Sequence, residues 1–548
     1  MHTRTTVVDY HERTKHRFDR PARSAGYMDW ANQPNPFRRY HGAAVTMLPL
    51  DGGTPSPTYH QLYEPESISP AERDARSVGL FLQYALGLSA WKEYAGSRWA
   101  LRCNPSSGNL HPTEGYVCLP ATPGISHRPG VCHYAPQDHA LECRTELSKE
   151  CFAALAHGWP VGTFFTALTS IHWREAWKYG ERAYRYCQHD VGHALAALAL
   201  SAATLGWSVH ACSTLDDAAL MRLLGIDRES DYGDAEQEEP DVLLAVVPGP
   251  AHAVPNAVST EAIDRIAGGV WTGKANRLSP AHVEWEVIKT IAEACRKPMT
   301  SPPAVEAPSV DAAMPMGVAR NASARTIIRQ RRSAVAMDGR TSISRDTFYA
   351  MLCRTLPRYD RPPWQALGPP TAVDLALFVH RVDDLPAGLY LLVRQRERVD
   401  WLRQRMREDF TWRQPSGCPP GLSLFCLVEG DCRAAAARAS CGQDIAGDSA
   451  FSLGMLAEFE SNLEEQGAWF YRRLFWETGL IGQVLYLEAE AAGVRGTGIG
   501  CFFDDPVHEL FGLRDRAVQS LYHFTIGGPV EDSRLTTHPP YDSARRNH

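Results

Sequence analysis

The chain of 548 residues contains no run of about 18 or more apolar residues, the length a helix needs to cross a bilayer. Its start, MHTRTTVVDYHERTKHRF, has no apolar stretch of signal-peptide length. These two absences predict a soluble, cytoplasmic protein. Fourteen cysteines are present, yet none forms a C-x-x-C pair and none stands at zinc-ligand spacing from a histidine. No metal site is therefore expected, and the cysteines are expected to be reduced and mainly buried. Blocks of basic residues are missing too. Lysine and arginine are dispersed and the formal net charge is −7, which argues against a nucleic-acid partner.

What is present is a repeat. Tyr184, Arg185, Gly192, Gly206, Asp217 and Gly225 recur at a constant offset of 287 as Tyr471, Arg472, Gly479, Gly493, Asp504 and Gly512, with Asp190 answered by Glu477. The length and a hydrophobic content of 44% allow two or three cores, and the repeat makes two the better count. Residues 1–55, rich in Arg, Pro and aromatics, read as an extended N-terminal arm whose Trp30, Phe37 and Tyr40 need a surface to cover. A first unit spans 56–296, a Pro/Ala-rich linker 297–317, a second unit 318–535 and a polar, mobile tail 536–548.

Helices are expected over 189–205 and 477–492, each opening on a carboxylate and stopping at Gly206 or Gly493. Strands are expected over 115–119, 242–247, 374–380, 388–393 and 422–428. Strands mixed with long helices give an α+β layered fold. Asp217 and Asp504, present in both halves, read as helix N-caps, and His193 as a core or capping histidine. Trp469, Tyr471, Arg472, Arg473 and Trp476 are expected to pack the domain interface.

The sharpest motif is RCNPSSGNLHPTE at 102–114. Pro105 fixes the chain, Ser106 and Ser107 supply hydroxyls, Gly108 permits close backbone approach and Asn109 adds an amide, which suits an anionic or heterocyclic ligand. A plain turn with a helix cap uses the same residues. GTGIG at 496–500 offers backbone N–H groups to a flat ring, or makes a simple loop-to-strand turn; it follows a helix, so it is not a Rossmann fingerprint. Lys178, Tyr179, Arg182, Tyr184 and Arg185 form a basic, aromatic stretch that either lines a substrate mouth or packs as a half-exposed helix face.

Arg102, Pro105, Ser106, Gly108, Pro112 and Glu114, together with Lys178, Tyr179, Arg182 and Ala183, resemble the flavin-dependent nitroreductase-like proteins. Within them the resemblance is to the SagB-type dehydrogenase branch, which oxidises azolines to azoles in thiazole/oxazole-modified peptide pathways. It covers most of 60–250 and 320–535 and implies two fused nitroreductase-like domains, each with an antiparallel or mixed central sheet flanked by helices, forming an intramolecular pseudo-dimer. In RTIIRQRRSAVAMDGRTSI (325–343) it implies that Arg331 and Ser333 hold the flavin phosphate, a role suited to a guanidinium fork and a hydroxyl. The family often has a second basic residue two positions after the serine. Val335 stands there, so Arg332 or Arg534 is expected to complete the clamp.

The two halves own complementary pieces. If they mimic the family dimer, one composite site survives, with FMN held by Arg331, Arg332, Ser333, Arg534, Gly498, Ile499 and Gly500 from one half and by Arg102, Pro105, Ser106, Ser107, Gly108 and Asn109 from the other. The expected activity is an FMN-dependent oxidoreductase that moves hydride between flavin and a small organic or peptide-heterocycle substrate, with no catalytic side chain assigned. An NAD(P)H-dependent nitro or quinone reductase and a non-catalytic flavin-binding scaffold are the alternatives. Further homo-oligomerisation is left open.

Overall fold

The computed structural model describes residues 2–64, 66–250, 254–302 and 321–541. Each half builds one large antiparallel sheet. The first runs through Ala44–Met47, Ala140–Glu146, Gly130–Ala135, Thr113–Leu119, Phe164–Ser170, Glu239–Pro248 and Trp207–Ala211. The second runs through Leu424–Glu429, Gly388–Leu392, Val373–Val379, Phe451–Glu458, Val518–Gly527 and Arg495–Ile499. Beyond the extra edge strand Ala44–Met47, the two sheets have the same strand order and the same connections. The sequence repeat is thus a repeat of the whole α+β fold. All five strands expected from sequence are present, and Phe164–Ser170 and Val373–Val379 are buried at every position because layers pack on both faces.

The two long helices span Ala183–Ala203 and Phe470–Ala491, starting earlier than their sequence suggests. Asp190 and Glu477 therefore lie about two turns inside rather than in the first turn. The extra turns are buried on all sides, so no amphipathic boundary marks where they begin. The helices cross at the repeated glycines. A Cβ on Gly192 would meet the Gly479 Cα at 2.9 Å and come closer still to the Trp476 carbonyl, and Gly479 has the same relation to Gly192 and His189.

Around this crossing the repeated charges are exchanged. Arg185 donates to Asp504 at 2.8 Å and Arg472 to Asp217 at 2.6 Å, and all four residues are buried. This corrects the reading of the two aspartates as caps. Asp216 caps the helix Asp217–Leu224 through the Ala219 N–H, and the helix Asp504–Phe511 has no side-chain cap. Each carboxylate is instead held by the guanidinium of the opposite half, which is an isologous interface within one chain.

The described residues near both ends are more ordered than their composition suggests. Residues His2–Arg13 form a helix rather than an extended arm, and Tyr10 packs edge-on against both Tyr184 and Tyr471, the repeat partners, at 6.0 and 6.3 Å. Phe37 and Tyr40 are buried, whereas Trp30 is 67% exposed. The tail begins as a strand: Thr536–His538 pairs with Leu88–Tyr94, and the buried Tyr541 donates to the Pro136 carbonyl. The remainder of the expected tail, 542–548, and linker residues 303–317 lie outside the described residues. Among the described residues no helix is long and apolar enough to cross a membrane.

Candidate functional site

A cleft of about 480 Å³ lies between the halves. One wall is the 104–111 loop of the first half. The opposite wall is Arg331–Val335 with the edge strand Arg495–Ile499 and its continuation to Cys501. The volume falls within the range of small-molecule and cofactor sites.

The loop is braced from inside. The Ser107 N–H and hydroxyl both donate to Asp190 Oδ1, at 3.0 and 3.1 Å. Ser106 Oγ accepts from the His111 N–H at 2.7 Å, and the Asn109 amide donates to the Ala100 carbonyl while its oxygen meets His111 Nε2 at 3.0 Å. Ser106, Ser107, Gly108 and Asn109 all line the cleft, but Asn109 spends its polar atoms on the shape of the loop. Arg102 is buried behind it, and desolvation lowers its pKa to about 10. Its carbonyl accepts from Arg331 Nη2 at 2.9 Å, a direct link between the halves.

On the far wall, Ser333 Oγ lies 2.9 Å from the Tyr486 hydroxyl, which also accepts from the Gly498 N–H at 2.9 Å. That N–H is therefore engaged within the protein. The missing Cβ of Gly498 makes room for the Tyr522 hydroxyl, which a Cβ there would overlap. The Arg331 guanidinium lies 5.0 Å over the Tyr486 ring, and its Nε is buried without an acceptor. Arg332 bonds only to Ser89 and to the backbone carbonyls of Ser89, Arg329 and Arg331. Burial, then the neighbouring Arg331, lowers its pKa to about 10. Among the described residues neither arginine has a carboxylate at ion-pair distance. Lys92 and Arg495 line the same wall, and burial followed by Arg332 holds the Lys92 ammonium below its ordinary value. Val335 is exposed, and Lys92 and Arg495 reach the same wall from other segments.

Three sequence candidates sit elsewhere. Arg534 points away from the cleft, paired with Asp532 at 2.7 Å and stacked on Tyr94. Arg182 is buried and donates to Asp504, Thr14 O and Gly500 O, so it supports the 500 loop from behind instead of lining a mouth. Lys178 is half-buried over the Tyr179 ring and presses with it on Gly108; Tyr179 itself lines the cleft. Sequence reasoning missed Lys92, Tyr186, Tyr486, Arg495 and Tyr522, none of which sits in a motif. It left Asp190 without a role, although the repeat flagged that position. Burial raises the Asp190 carboxyl to about 7, against the hydrogen bonds from Ser106 and Ser107 that lower it. His193 also lines the cleft, 3.1 Å from the Tyr522 hydroxyl, and burial lowers its pKa to about 3, so its ring is neutral.

The repeat places an equivalent position on the other side of the interface. There Ala211, Cys212 and Ser213 stand where the cleft has Gly498, Ile499 and Gly500, and Gln466 and Arg473 stand for Tyr179 and Tyr186. Trp469, Phe470 and Trp476 crowd the space, leaving about 100 Å³.

A nitroreductase family model matches residues 95–233. No curated protein matches the chain. A putative nitroreductase from Anabaena variabilis superposes with a TM-score of 0.68 at 22% identity, covering 96% of this chain and 99% of its own. A putative nitroreductase from Ralstonia eutropha matches at 17% identity over 39% of this chain and 96% of its own, with a TM-score of 0.28. The Escherichia coli microcin synthetase McbBCD complex with bound truncated pro-MccB17 matches at 18% identity over 46% of this chain and 94% of its own, with a TM-score of 0.27. The chain thus carries a segment similar to the nitroreductase family over 95–233 and shares the fold of the Anabaena protein along its full length.

Proposed function

We propose that this chain is an FMN-dependent oxidoreductase with one flavin held between its halves. The observation that carries the reading is the adjacent guanidiniums of the buried Arg331 and the half-buried Arg332, neither with a carboxylate at ion-pair distance among the described residues, facing the 104–111 loop across the cleft. A buried cation with a second, half-buried one beside it is costly unless an anion completes them, and a phosphate monoester matches their charge and fork geometry. Lys92 adds to the same positive wall, as does Arg495, which is paired with Glu531 at 2.8 Å, while Tyr179, Tyr186 and Tyr522 line the remainder. The equivalent space of about 100 Å³ is too small for a tricyclic ring.

Bound flavin would supply the hydride chemistry. The chain's own residues bind and orient. Tyr486 ties Ser333 to Gly498, and Asp190 fixes Ser107. Titrating near neutrality, Asp190 can hold or release a proton at the cleft wall. The substrate class is a small organic molecule or a peptide heterocycle.

Flavin released per chain from protein purified from cells tests the reading. A ratio near one is expected, and a ratio near two overturns the single-site assignment. Anaerobic bleaching by NADH or NADPH then identifies a nitro- or quinone-reductase direction. Bleaching by an azoline-containing peptide identifies the dehydrogenase direction. Bound flavin that responds to neither points to a flavin-binding scaffold.

A further inference from the structure

At the rim of the cleft the sulfurs of Cys441 and Cys501 lie 3.1 Å apart. They belong to separate segments. Cys501 follows the edge strand Arg495–Ile499 and is exposed; Cys441 lies just beyond the helix Arg433–Ala439, is partly buried and adopts a left-handed φ of 56°. Roughly 1 Å of approach would bring the sulfurs to the ~2.05 Å of a disulfide bond. The setting also favours a thiolate. Contact with the Cys441 sulfur, then His16 and Arg182, holds the Cys501 thiol below its ordinary value, while burial opposes them. Arg182 is fixed there by its bond to the Gly500 carbonyl. An accessible thiol beside a guanidinium and an imidazole, with a second thiol in contact, has the layout of an attacking and a resolving cysteine. The two segments are already joined next to the sulfurs: the Gln443 amide donates to the Cys501 carbonyl at 2.9 Å, and Gln443 and Cys501 both line the cleft.

We propose that Cys441 and Cys501 are a redox-active pair that forms a reversible disulfide across the cleft rim by exchange with a low-molecular-weight disulfide. The Cys501 thiolate attacks one sulfur of the small disulfide, whose S–S bond breaks; one small thiolate leaves and takes up the proton that Cys501 has lost. Cys441 then loses its proton and attacks the Cys501 sulfur of the mixed disulfide, and the second small thiolate leaves with that proton. Two electrons pass from the protein thiols to the small disulfide, which becomes two thiols. Cys132 and Cys143 also face one another, on neighbouring strands, but Cys132 is buried and neither lines the cleft.

The test is equilibration of the full-length protein in glutathione buffers of increasing disulfide content, followed by alkylation, digestion and mass mapping. The expected result is loss of alkylation at Cys441 and Cys501 in one shared transition, with a 441–501 cross-linked peptide that dithiothreitol removes. Cys441→Ser should stall as a glutathione adduct on Cys501, and Cys501→Ser should leave Cys441 unmodified. The proposal falls if both cysteines stay alkylatable in oxidised glutathione, if the cross-link maps only to Cys132 and Cys143, or if Cys441→Ser accumulates no adduct. The readout does not involve flavin, so a failure here is distinct from a failure of the flavin assignment.

Discussion

Gly192→Ala and Gly479→Ala set two calculable effects against each other. Both glycines lie inside long helices, where alanine is favoured by about 1 kcal/mol on propensity. Here, however, an added Cβ would come within 3.0 Å of partner backbone, the Trp476 carbonyl for Gly192 and the His189 carbonyl for Gly479. No rotamer change relieves a clash with backbone, so the helices must part until contacts reach the ordinary 3.4 Å or more. Overpacking of this kind costs about 3 kcal/mol at the upper end of its usual range. The net loss is then about 2 kcal/mol, or a Tm lower by roughly 4–8 °C for units of this size. Calorimetry of both single variants and the double variant measures it, with Gly52→Ala, whose Cβ meets nothing within 4 Å, as a control expected to shift stability by less than about 0.5 kcal/mol. The double variant should cost less than the sum, because helices parted for one methyl accommodate the other. Both single variants should also weaken FMN binding, although neither glycine lines the cleft, since the proposed site spans the two halves. A rise in Tm on Gly192→Ala, or strict additivity in the double variant, would refute a tight crossing at this point.

Arg331→Met should act with opposite signs on stability and binding, raising the Tm of flavin-free protein by relieving a buried unpaired cation while weakening FMN about 10- to 100-fold, as for loss of a charge-assisted hydrogen bond; calorimetry and a fluorescence titration read the two. Asp190 has a folded pKa near 7, above its unfolded value of about 3.9, so its contribution is most favourable below about pH 4 and is lost as pH rises through about 7, by up to about 4 kcal/mol. Asp190→Asn should flatten part of that decline in urea melts between about pH 4 and 7, leaving the part due to Asp241, which burial also raises to about 7. Burial opposes ionisation of Asp504, yet Arg182 and Arg185 hold its pKa well below the usual carboxylate range. Asp504→Asn should therefore cost about 3–5 kcal/mol near neutrality, a difference that shrinks in urea melts as pH falls below about 4 and the carboxylate of the unfolded wild-type chain takes up its proton.

The sheets were legible because their central strands are short apolar runs bounded by turn residues, and the constant offset announced that whatever fold one half had, the other shared. The offset did not reveal who pairs with whom. Nothing local in Asp217 or Asp504 distinguishes a helix cap from a partner for an arginine 255 or 319 residues away. The same limit applies to the site. Motif reading found the 104–109 loop, the 331–333 segment and the 498–500 strand because each is a contiguous stretch with unusual chemistry. Lys92 and Arg495 are single cations in ordinary strands, and only folding sets them beside Arg332. Arg182 shows the converse error. Its basic, aromatic neighbourhood suggested a binding surface, but Asp504 claims it from the other half.

The position shared by Asp190 and Glu477 shows how a fused pair of domains can keep one cleft open and narrow its twin. Both carboxylates accept from backbone N–H groups entering the loop or strand ahead of them: Asp190 from Ser107, Glu477 from Ala372 and Val373. Glutamate, one methylene longer, also reaches the Arg394 guanidinium and is fixed there as a buried ion pair. Asp190 has no ion-pair partner among the described residues and is left free to titrate. On the Glu477 side, Arg473 donates to the carbonyls of Leu367, Gly368 and Pro370, binding the segment that would have formed a loop into the space Tyr186 leaves open in the cleft. The interface itself must stay symmetric, because the crossed Arg–Asp pairs and the touching glycines serve both halves at once. The site need not. In a dimer of identical separate chains, a substitution that filled one cleft would fill both. In a single chain it fills one, and the buried aromatics that close it add to the packing that holds the remaining cleft in shape.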